Sequence, residues 1–169
     1  FRAKHQEDPK LRDEMIAMLA KIHNLKLPIR KRKNLLFEDI GKMITHAYEH
    51  SPINEICKEA NYVNLLARDL RDEWKLVERI IEKTNAPTVL CHCDFRGSNI
   101  LVTEQGLICI DLEYSMYGSR AYDISTILHE WGKTEVFDRD MGKIPKKETI
   151  MEFLKVYIEN CELLNPGYA

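Results

Sequence analysis

Hydrophobic positions in the first part of the chain recur every three or four residues, which is the spacing of one face of an α-helix. The first such run covers residues 11–25, and Pro28 ends the helix or lies just beyond it. A second run covers Phe37 to Tyr48 and is broken by Ser51-Pro52. The pattern therefore predicts two amphipathic helices before Ser51.

The longest amphipathic run extends from Val63 to Ile81 and carries a charged face between Arg68 and Glu73. An apolar stripe that continues over so many turns indicates a helix packed along its whole length. We therefore predict one uninterrupted helix here, forming the buried centre of the domain. Its apolar positions are Val63, Leu66, Leu70, Trp74, Val77, Ile80 and Ile81.

After Pro87 the pattern changes to short β-prone runs. Residues 88–91 are typical of a strand. Residues 99–103 and 107–110 flank Glu104-Gln105-Gly106, a turn-like sequence, and this arrangement predicts a hairpin.

Helical spacing returns after the hairpin. One helix is predicted to begin near Ser119, a candidate N-cap, and its apolar positions continue to Trp131. A polar stretch separates it from a last helix, whose apolar face runs from Ile150 to Leu164 and whose entry suits Pro145. The sequence thus predicts a mainly helical α+β chain with a small sheet.

Composition narrows the range of partners. A chain of 169 residues with 44% hydrophobic and 31% charged residues is typical of one globular domain. Its 25 basic and 27 acidic residues give a net charge of -2, so nucleic acid is not predicted as a partner. The basic run at residues 30–33 is predicted to be a solvated loop. No apolar run approaches the roughly 20 residues that span a bilayer, so stable membrane insertion is not predicted.

The five cysteines are an odd number and lack the density of a disulfide scaffold, which favours a reducing, cytoplasmic setting. Cys91-His92-Cys93 has a single intervening residue, unlike the spacing of zinc-binding pairs, and no second pair follows. A structural zinc site is therefore not predicted.

Two acidic strings around the hairpin suggest chemistry. Asp94 and Asn99 precede the first hairpin strand, and Asp111 follows the second, so a hairpin would turn all three towards one cleft. Phosphoryl transfer needs a carboxylate near the attacking hydroxyl and hard oxygen ligands for magnesium. Each residue taken singly has a commoner structural role, such as His92 in the core or Asp94 capping a turn. The combination of His92, Asp94, Asn99 and Asp111 at this spacing is rarer and favours a phosphotransferase site.

The strings HCDFRGSNILV and ICIDLEYSMYGSRAYDI, followed by HEW, resemble the catalytic region of the choline/ethanolamine kinase family. The sequence Asp-x-Glu-Tyr at Asp111 to Tyr114 distinguishes this family from aminoglycoside phosphotransferases. MLAKIHNLKLP and IPKKETIMEFLKVYI also resemble family segments, so the resemblance spans nearly the whole chain. It implies a protein-kinase-like fold, with a small β-hairpin that carries the catalytic loop.

The resemblance implies a role for each matching residue. Asp94 becomes the catalytic base for the substrate hydroxyl, while Asn99 and Asp111 become magnesium ligands. Glu113 is placed near the second metal or its surroundings. Cys93 stands where the family commonly has Asn; because its side chain is not the base, we expect catalysis to survive.

Substrate binding and loop support are implied in the same way. Tyr114, Glu130 and Trp131 match aromatic and acidic positions around an amino-alcohol head group, where aromatic faces and a negative charge suit a cation. For Tyr114 and Trp131 the alternative is core packing, and for Glu130 it is a solvated helix position. His92 and Asp123 are implied to support the catalytic loop.

These expectations combine into one predicted function. Residues 1–169 are predicted to be the C-terminal lobe of a choline kinase-like fold, with the N-terminal nucleotide-binding lobe absent from this chain. The implied reaction is phosphorylation of choline or ethanolamine, with ATP as donor and Mg²⁺ as cofactor. Two alternatives stay open: a kinase of the same fold acting on an aminoglycoside or sugar, and a catalytically silent scaffold. Oligomeric state also stays open, a homodimer being one option.

Overall fold

The computed structural model describes residues 1–29, 35–84, 86–131 and 145–168. The predicted basic loop at residues 30–33 and the polar stretch after Trp131 lie outside the described residues. The helices are α1 Ala3–Gln6, α2 Pro9–Asn24, α3 Leu35–His50, α4 Ile53–Glu59, α5 Val63–Leu66, α6 Leu70–Thr84, α7 Ala121–His129 and α8 Lys147–Leu164. The strands are β1 Thr88–Cys91, β2 Ile100–Thr103, β3 Gly106–Cys109 and β4 Met116–Ser119.

The described residues divide into two compact units. The first unit is formed from the ranges Phe1–Lys31 and Thr88–Ala169, and the second from Arg32–Pro87. The first unit contains both acidic strings and all the strands, so it carries the candidate chemistry.

The core of the first unit lies between α2 and α8. On α2 the fully buried residues include Met15, Ile16 and Leu19, and on α8 they include Phe153 and Tyr157, so each helix buries one face. Asp8 is the N-cap of α2, and its side chain accepts hydrogen bonds from the backbone N–H groups of Lys10 and Leu11. The predictions of helices over residues 11–25 and 150–164 are confirmed.

Two small antiparallel strand pairs lie on either side of residues 92–99, which carry the first acidic string. The β1 strand pairs with β4, from Thr88 opposite Ser119 to Cys91 opposite Met116. The β2 and β3 strands form the predicted hairpin, which closes where Thr103 lies opposite Gly106. The β4 strand was not predicted, because Met-Tyr-Gly-Ser shows neither alternation nor the usual β-branched residues.

The second unit corrects one prediction. The predicted single helix over residues 63–81 is two helices, α5 and α6, and no residue of α6 is buried. The break has a local cause, because the Asp69 carboxylate accepts the Arg71 N–H at 2.9 Å and begins a new helix. The predicted buried centre is therefore wrong for this segment, and the core role in the first unit belongs to α2 and α8. The predicted helix over 37–48 is confirmed and extends over Leu35–His50.

All five cysteines are free thiols, four of them buried and Cys109 half-buried. Of the helices in the described ranges, none combines the length and the apolar character needed to cross a bilayer.

Candidate active site

The segment between β1 and β2, residues 92–99, forms a tight loop that we call the catalytic loop. It turns through Cys93, whose φ of 67° lies in the left-handed region, and ends in a single 3₁₀ turn at Gly97–Asn99. A residue with a Cβ pays about 1–2 kcal/mol for that conformation. The turn at Cys93 therefore requires contacts that hold it in place.

Asp123 supplies those contacts from α7. Its carboxylate is fully buried and accepts the backbone N–H of His92 at 2.7 Å and that of Cys93 at 2.9 Å, one on each oxygen. Hydrogen bonds to an ionised acceptor are shorter and stronger than neutral ones. Asp123 thus braces the loop on either side of the left-handed residue, immediately before Asp94.

Asp94 and Asn99 are in direct contact. The Asn99 side-chain N–H group donates to the Asp94 carboxylate at 2.7 Å and to the Asp94 backbone carbonyl at 3.0 Å. These two bonds use the amide nitrogen and fix the amide plane, so the amide oxygen points away from Asp94. That oxygen accepts only a long contact, from the Ser98 hydroxyl at 3.4 Å, among the described residues.

His92 connects the catalytic loop to the second acidic string. Its Nδ1 accepts the Asp94 backbone N–H at 3.3 Å, so its ring proton belongs on Nε2. The Nε2–H group then donates to the Ile110 carbonyl at 3.0 Å, while the Ile110 N–H donates to the Asn99 carbonyl at 3.0 Å. The backbone just before Asp111 is therefore tied to the loop on both sides.

Asp111 follows that anchored residue in an unusual backbone conformation. Its φ is 67°, and its exposed carboxylate forms no hydrogen bond or ion pair with another described residue. Glu113 and Tyr114, on the same stretch, are also exposed. In the described ranges, Asp94, Asp111 and Glu113 do not form a closed carboxylate cluster; the tightest group of three potential ligands lies elsewhere, at His23, Cys91 and Asp123.

Arg96, the one cation within the catalytic loop, was not predicted as part of the site. Its Nε lies 3.1 Å from an Asp94 carboxylate oxygen, although the two are not aligned for a hydrogen bond. The available signal was its position two residues beyond Asp94, inside a string already identified. The guanidinium places a positive charge beside the candidate base.

An open cleft of about 610 Å³ lies in front of Asp94. It has the catalytic loop on one side, the end of α7 on another, and the entry to α8 on a third. Its lining residues are Asp94, Arg96, Ser125, Thr126, Leu128, His129, Glu130, Pro145 and Ile150.

Of the three residues predicted to bind the head group, one lines the cleft. Glu130 lines it, whereas Tyr114 and Trp131 are not among its lining residues. Trp131 packs edge-to-face against Phe153, with ring centroids 6.0 Å apart, at the margin of the core.

Two buried polar residues that were not predicted as part of the site connect to Asp123, His23 directly and Tyr157 through His23. His23 of α2 lies 3.1 Å from an Asp123 carboxylate oxygen, and its other ring nitrogen lies 2.7 Å from the Tyr157 hydroxyl of α8. Each belongs to an apolar helical stripe, so periodicity alone predicts only that it is buried. A histidine on such a stripe was the signal that a polar contact had to exist within the core.

The amino-acid sequence is similar to those of known choline and ethanolamine kinases. The family model for choline/ethanolamine kinases matches residues 1–165. A choline/ethanolamine kinase of Mus musculus is 26% identical over 166 residues, which are 92% of this chain and 41% of that protein. Ethanolamine kinase 1 of Homo sapiens is 36% identical over 92 residues, 53% of this chain and 20% of that protein.

The fold is shared as well. The solved structure of an ethanolamine kinase from Plasmodium vivax is similar over 98% of this chain and 50% of its own, with a TM-score of 0.72 and 24% identity. The chain thus spans half or less of the length of these relatives. The predicted protein-kinase-like fold class is confirmed. With nearly its whole length matched, the chain belongs to the choline/ethanolamine kinase family.

Proposed function

We propose that the whole protein transfers the γ-phosphoryl group of ATP to the hydroxyl of ethanolamine or choline. The observation that carries this proposal is the position of Asp94, held by Asn99 at the edge of a cleft that also contains Glu130. Family membership supports the same reaction class. The free cysteines suit a cytosolic location, which is part of the proposal.

Asp94 has the surroundings of a group that orients and deprotonates a hydroxyl. Asn99 engages one of its oxygens and Arg96 lies beside the other, so the carboxylate cannot rotate freely. In the proposed step, the substrate oxygen attacks the γ-phosphorus as its proton passes to Asp94. The bond from that phosphorus to the ADP oxygen breaks in the same step, and a phosphate ester and ADP result.

The donor chemistry of Asn99 and Asp111 fits magnesium. The Asn99 amide oxygen and the Asp111 carboxylate are hard oxygen donors of the kind that Mg²⁺ prefers. Both are free of strong hydrogen bonds within the described part of the chain. We assign them as magnesium ligands and place Glu113 near a second ion. When bound, Mg²⁺ neutralises charge on the nucleotide phosphates.

Recognition of the amino group is assigned to the far side of the cleft. Glu130 supplies a negative charge, and Leu128 and Ile150 supply apolar wall, which together suit a small cation with a short carbon chain. Tyr114 and Trp131 remain part of the proposed head-group site. Tyr114 is 56% exposed, so its ring face is available to a ligand.

The experiment is a substrate panel with the full-length protein. Ethanolamine, choline, an aminoglycoside and a simple sugar are each incubated with ATP and Mg²⁺, and phosphate esters are identified by ³¹P NMR. We expect a new ester with at least one amino alcohol, and none when Asp94→Asn replaces the wild type. The variant Asp13→Asn, which changes an exposed carboxylate on α2, is the matched control and should remain active.

Other outcomes of the panel would contradict the proposal. Turnover confined to the aminoglycoside or the sugar would assign a different acceptor to the same fold. Absence of both turnover and magnesium-dependent nucleotide binding would favour a silent scaffold.

A further inference from the structure

A chain of buried hydrogen bonds connects α8 to the catalytic loop. The Tyr157 hydroxyl lies 2.7 Å from His23 Nδ1, and His23 Nε2 lies 3.1 Å from Asp123 Oδ2. Asp123 in turn accepts the backbone N–H groups of His92 and Cys93. His23 is 3% exposed, and Tyr157 and Asp123 are 0% exposed, so water does not compete for these bonds.

The direction of the bonds follows from the groups involved. Both Asp123 oxygens already accept backbone N–H groups, so we assign His23 Nε2–H as a further donor to Oδ2, and Nδ1 then accepts from the Tyr157 hydroxyl. Burial, followed by the hydrogen bond with Tyr168, raises the pKa of the Tyr157 hydroxyl, which therefore keeps its proton at physiological pH. Tyr168 continues the chain, with its hydroxyl 3.0 Å from that of Tyr157.

The position of the Asp123 carboxylate depends on this support. Its Oδ2 accepts from both the His92 N–H and His23 Nε2, whereas Oδ1 accepts from the Cys93 N–H. Without His23, one face of a buried charge would lose its partner, and the carboxylate would be free to reorient. Any reorientation would reach the strained turn at Cys93, which directly precedes Asp94.

A metal site is the competing interpretation of the same place. His23, Cys91 and Asp123 have ligand atoms within 4.8 Å of one another. Both His23 nitrogens and both Asp123 oxygens are already hydrogen-bonded, and the Cys91 thiol donates to the Ser119 carbonyl at 3.3 Å. The neighbouring Cys93 thiol, and then burial, raise the pKa of Cys91, which opposes the thiolate a metal needs. Hydrogen bonding therefore accounts for the cluster better.

We propose that His23 and Tyr157 are positioning residues for phosphoryl transfer, acting through Asp123 on the conformation of the catalytic loop. The same chain links the loop to α8, whose Ile150 lines the cleft, and to α7, which carries Asp123. The placement of Asp94 and the walls of the substrate cleft thus depend on one buried network. The effects expected on kcat rest on the proposed function.

The kinetic test compares two hydroxyl deletions in the full-length protein. Tyr157→Phe removes the donor to His23, and Tyr117→Phe removes a buried hydroxyl that is hydrogen-bonded to the Leu27 backbone, away from Asp123. Misplacing a reacting group by a fraction of an ångström to 1 Å can cost up to about a hundredfold in rate. We expect Tyr157→Phe to lower kcat roughly tenfold with KM for MgATP nearly unchanged, and Tyr117→Phe to retain kcat despite a similar loss of Tm.

Rescue separates positioning from packing at His23. His23→Gln retains an N–H donor that can reach Asp123, whereas His23→Leu retains only bulk. We expect His23→Gln to keep most of the wild-type kcat and His23→Leu to lose it. Equal activity of the Gln and Leu variants, or equal kcat in Tyr157→Phe and Tyr117→Phe, would overturn the proposal.

A readout without catalysis keeps this inference distinct from the proposed function. Hydrogen exchange of the His92 and Cys93 amides is measured by NMR on the full-length protein without nucleotide. We expect faster exchange at these two amides in Tyr157→Phe, while the Leu107 amide, held by Glu14, stays protected. Unchanged exchange at both amides would overturn the network, even if the enzyme phosphorylates amino alcohols. Faster exchange in a protein that phosphorylates none of them would retain it and reject only the assigned reaction.

Discussion

The amide nitrogen of Asn99 donates to the carboxylate of Asp94 at 2.7 Å and to its backbone carbonyl at 3.0 Å. One side chain thereby fixes both the loop and the base that the loop carries. Its amide oxygen, which accepts only a long contact from the Ser98 hydroxyl among the described residues, is the atom proposed to bind a cation. Asn99 is thus assigned two functions that different substitutions can separate.

The first prediction separates these functions of Asn99. Asn99→Asp keeps an oxygen ligand but loses the donor and sets a second negative charge beside Asp94, so kcat should fall while magnesium-dependent nucleotide binding persists. Asn99→Ala removes the donor and the oxygen ligand, so both kcat and magnesium-dependent nucleotide binding should fall. It should also cost about 1–3 kcal/mol of stability because a buried hydrogen-bond partner is removed. Magnesium titrations of nucleotide binding and of kcat measure the difference.

The control for these variants is Asn160→Ala, since among the described residues the Asn160 amide donates to a single backbone carbonyl, within its own helix. It should leave the magnesium dependence unchanged. A wild-type magnesium requirement in Asn99→Ala would remove Asn99 from the set of metal ligands.

The second prediction concerns the size of the contribution of Arg96. Its contact with Asp94 is partly exposed, at 37% and 22% of the two side chains, and such ion pairs contribute about 1 kcal/mol or less. Arg96→Ala should therefore lower kcat by no more than about fivefold. Steady-state kinetics at low and high salt measures this effect. A loss of a hundredfold or more would show that the guanidinium acts on the transferred phosphate as well as on Asp94.

The third prediction tests the turn of the hairpin. Gly106 has a φ of 116°, and a Cβ there would lie 2.6 Å from the Glu14 carboxylate oxygen that accepts the Leu107 N–H. Gly106→Ala should therefore cost about 1–3 kcal/mol and lower the Tm of the full-length protein. Gly118→Ala is the matched control, because its Cβ would meet only the Cys91 sulfur at an ordinary 3.6 Å. Equal losses in the two variants would contradict this explanation of the turn.

The fourth prediction is a pH dependence in the second unit. The side-chain hydrogen bond from Arg71, supported by its backbone N–H, lowers the pKa of Asp69 from 3.8 to about 2. Because the folded-state pKa is depressed, the stabilisation is complete above the unfolded value near 3.8. It is lost as pH falls towards 2.

The measurement for Asp69 is chemical unfolding of wild type and Asp69→Asn between pH 5 and pH 2.5. The wild type should be more stable at pH 5, and the difference should shrink as the pH falls through this window. Asp72→Asn, which removes an exposed carboxylate paired with Lys75 and leaves the Asp69–Arg71 hydrogen bonds in place, is the control. A stability difference that stays constant with pH would exclude the carboxylate as its source.

The sequence predicted the elements whose signals are local. The α2 and α8 helices follow from long apolar stripes, and the β2–β3 hairpin follows from two β-prone runs around a glycine turn. The β4 strand was missed, because it exists through pairing with β1 and has no pattern of its own. The single helix predicted over residues 63–81 failed because the capping by Asp69 outweighed an apolar spacing that continues across the break.

In the candidate site, too, the local contacts could be predicted from the sequence and the long-range contacts could not. The contact of Asp94 with Asn99 lies within one short loop, so spacing alone brought it within reach. The support from His23 and Tyr157 joins residues 134 positions apart, and no sequence period encodes that contact. For Trp131 the spacing leaves two roles open, a ring that faces a ligand and a ring that packs in the core, and it does not encode the observed contact with Phe153.

The most direct test of the central claim is single-turnover phosphoryl transfer by the full-length protein, comparing wild type with Asp94→Asn at saturating MgATP and amino alcohol. Loss of a positioned base typically costs about 10²- to 10⁴-fold. We therefore predict a rate reduced by at least about a hundredfold, with the affinity for MgATP within about twofold of wild type. A transfer rate in Asp94→Asn equal to that of the wild type would contradict the account.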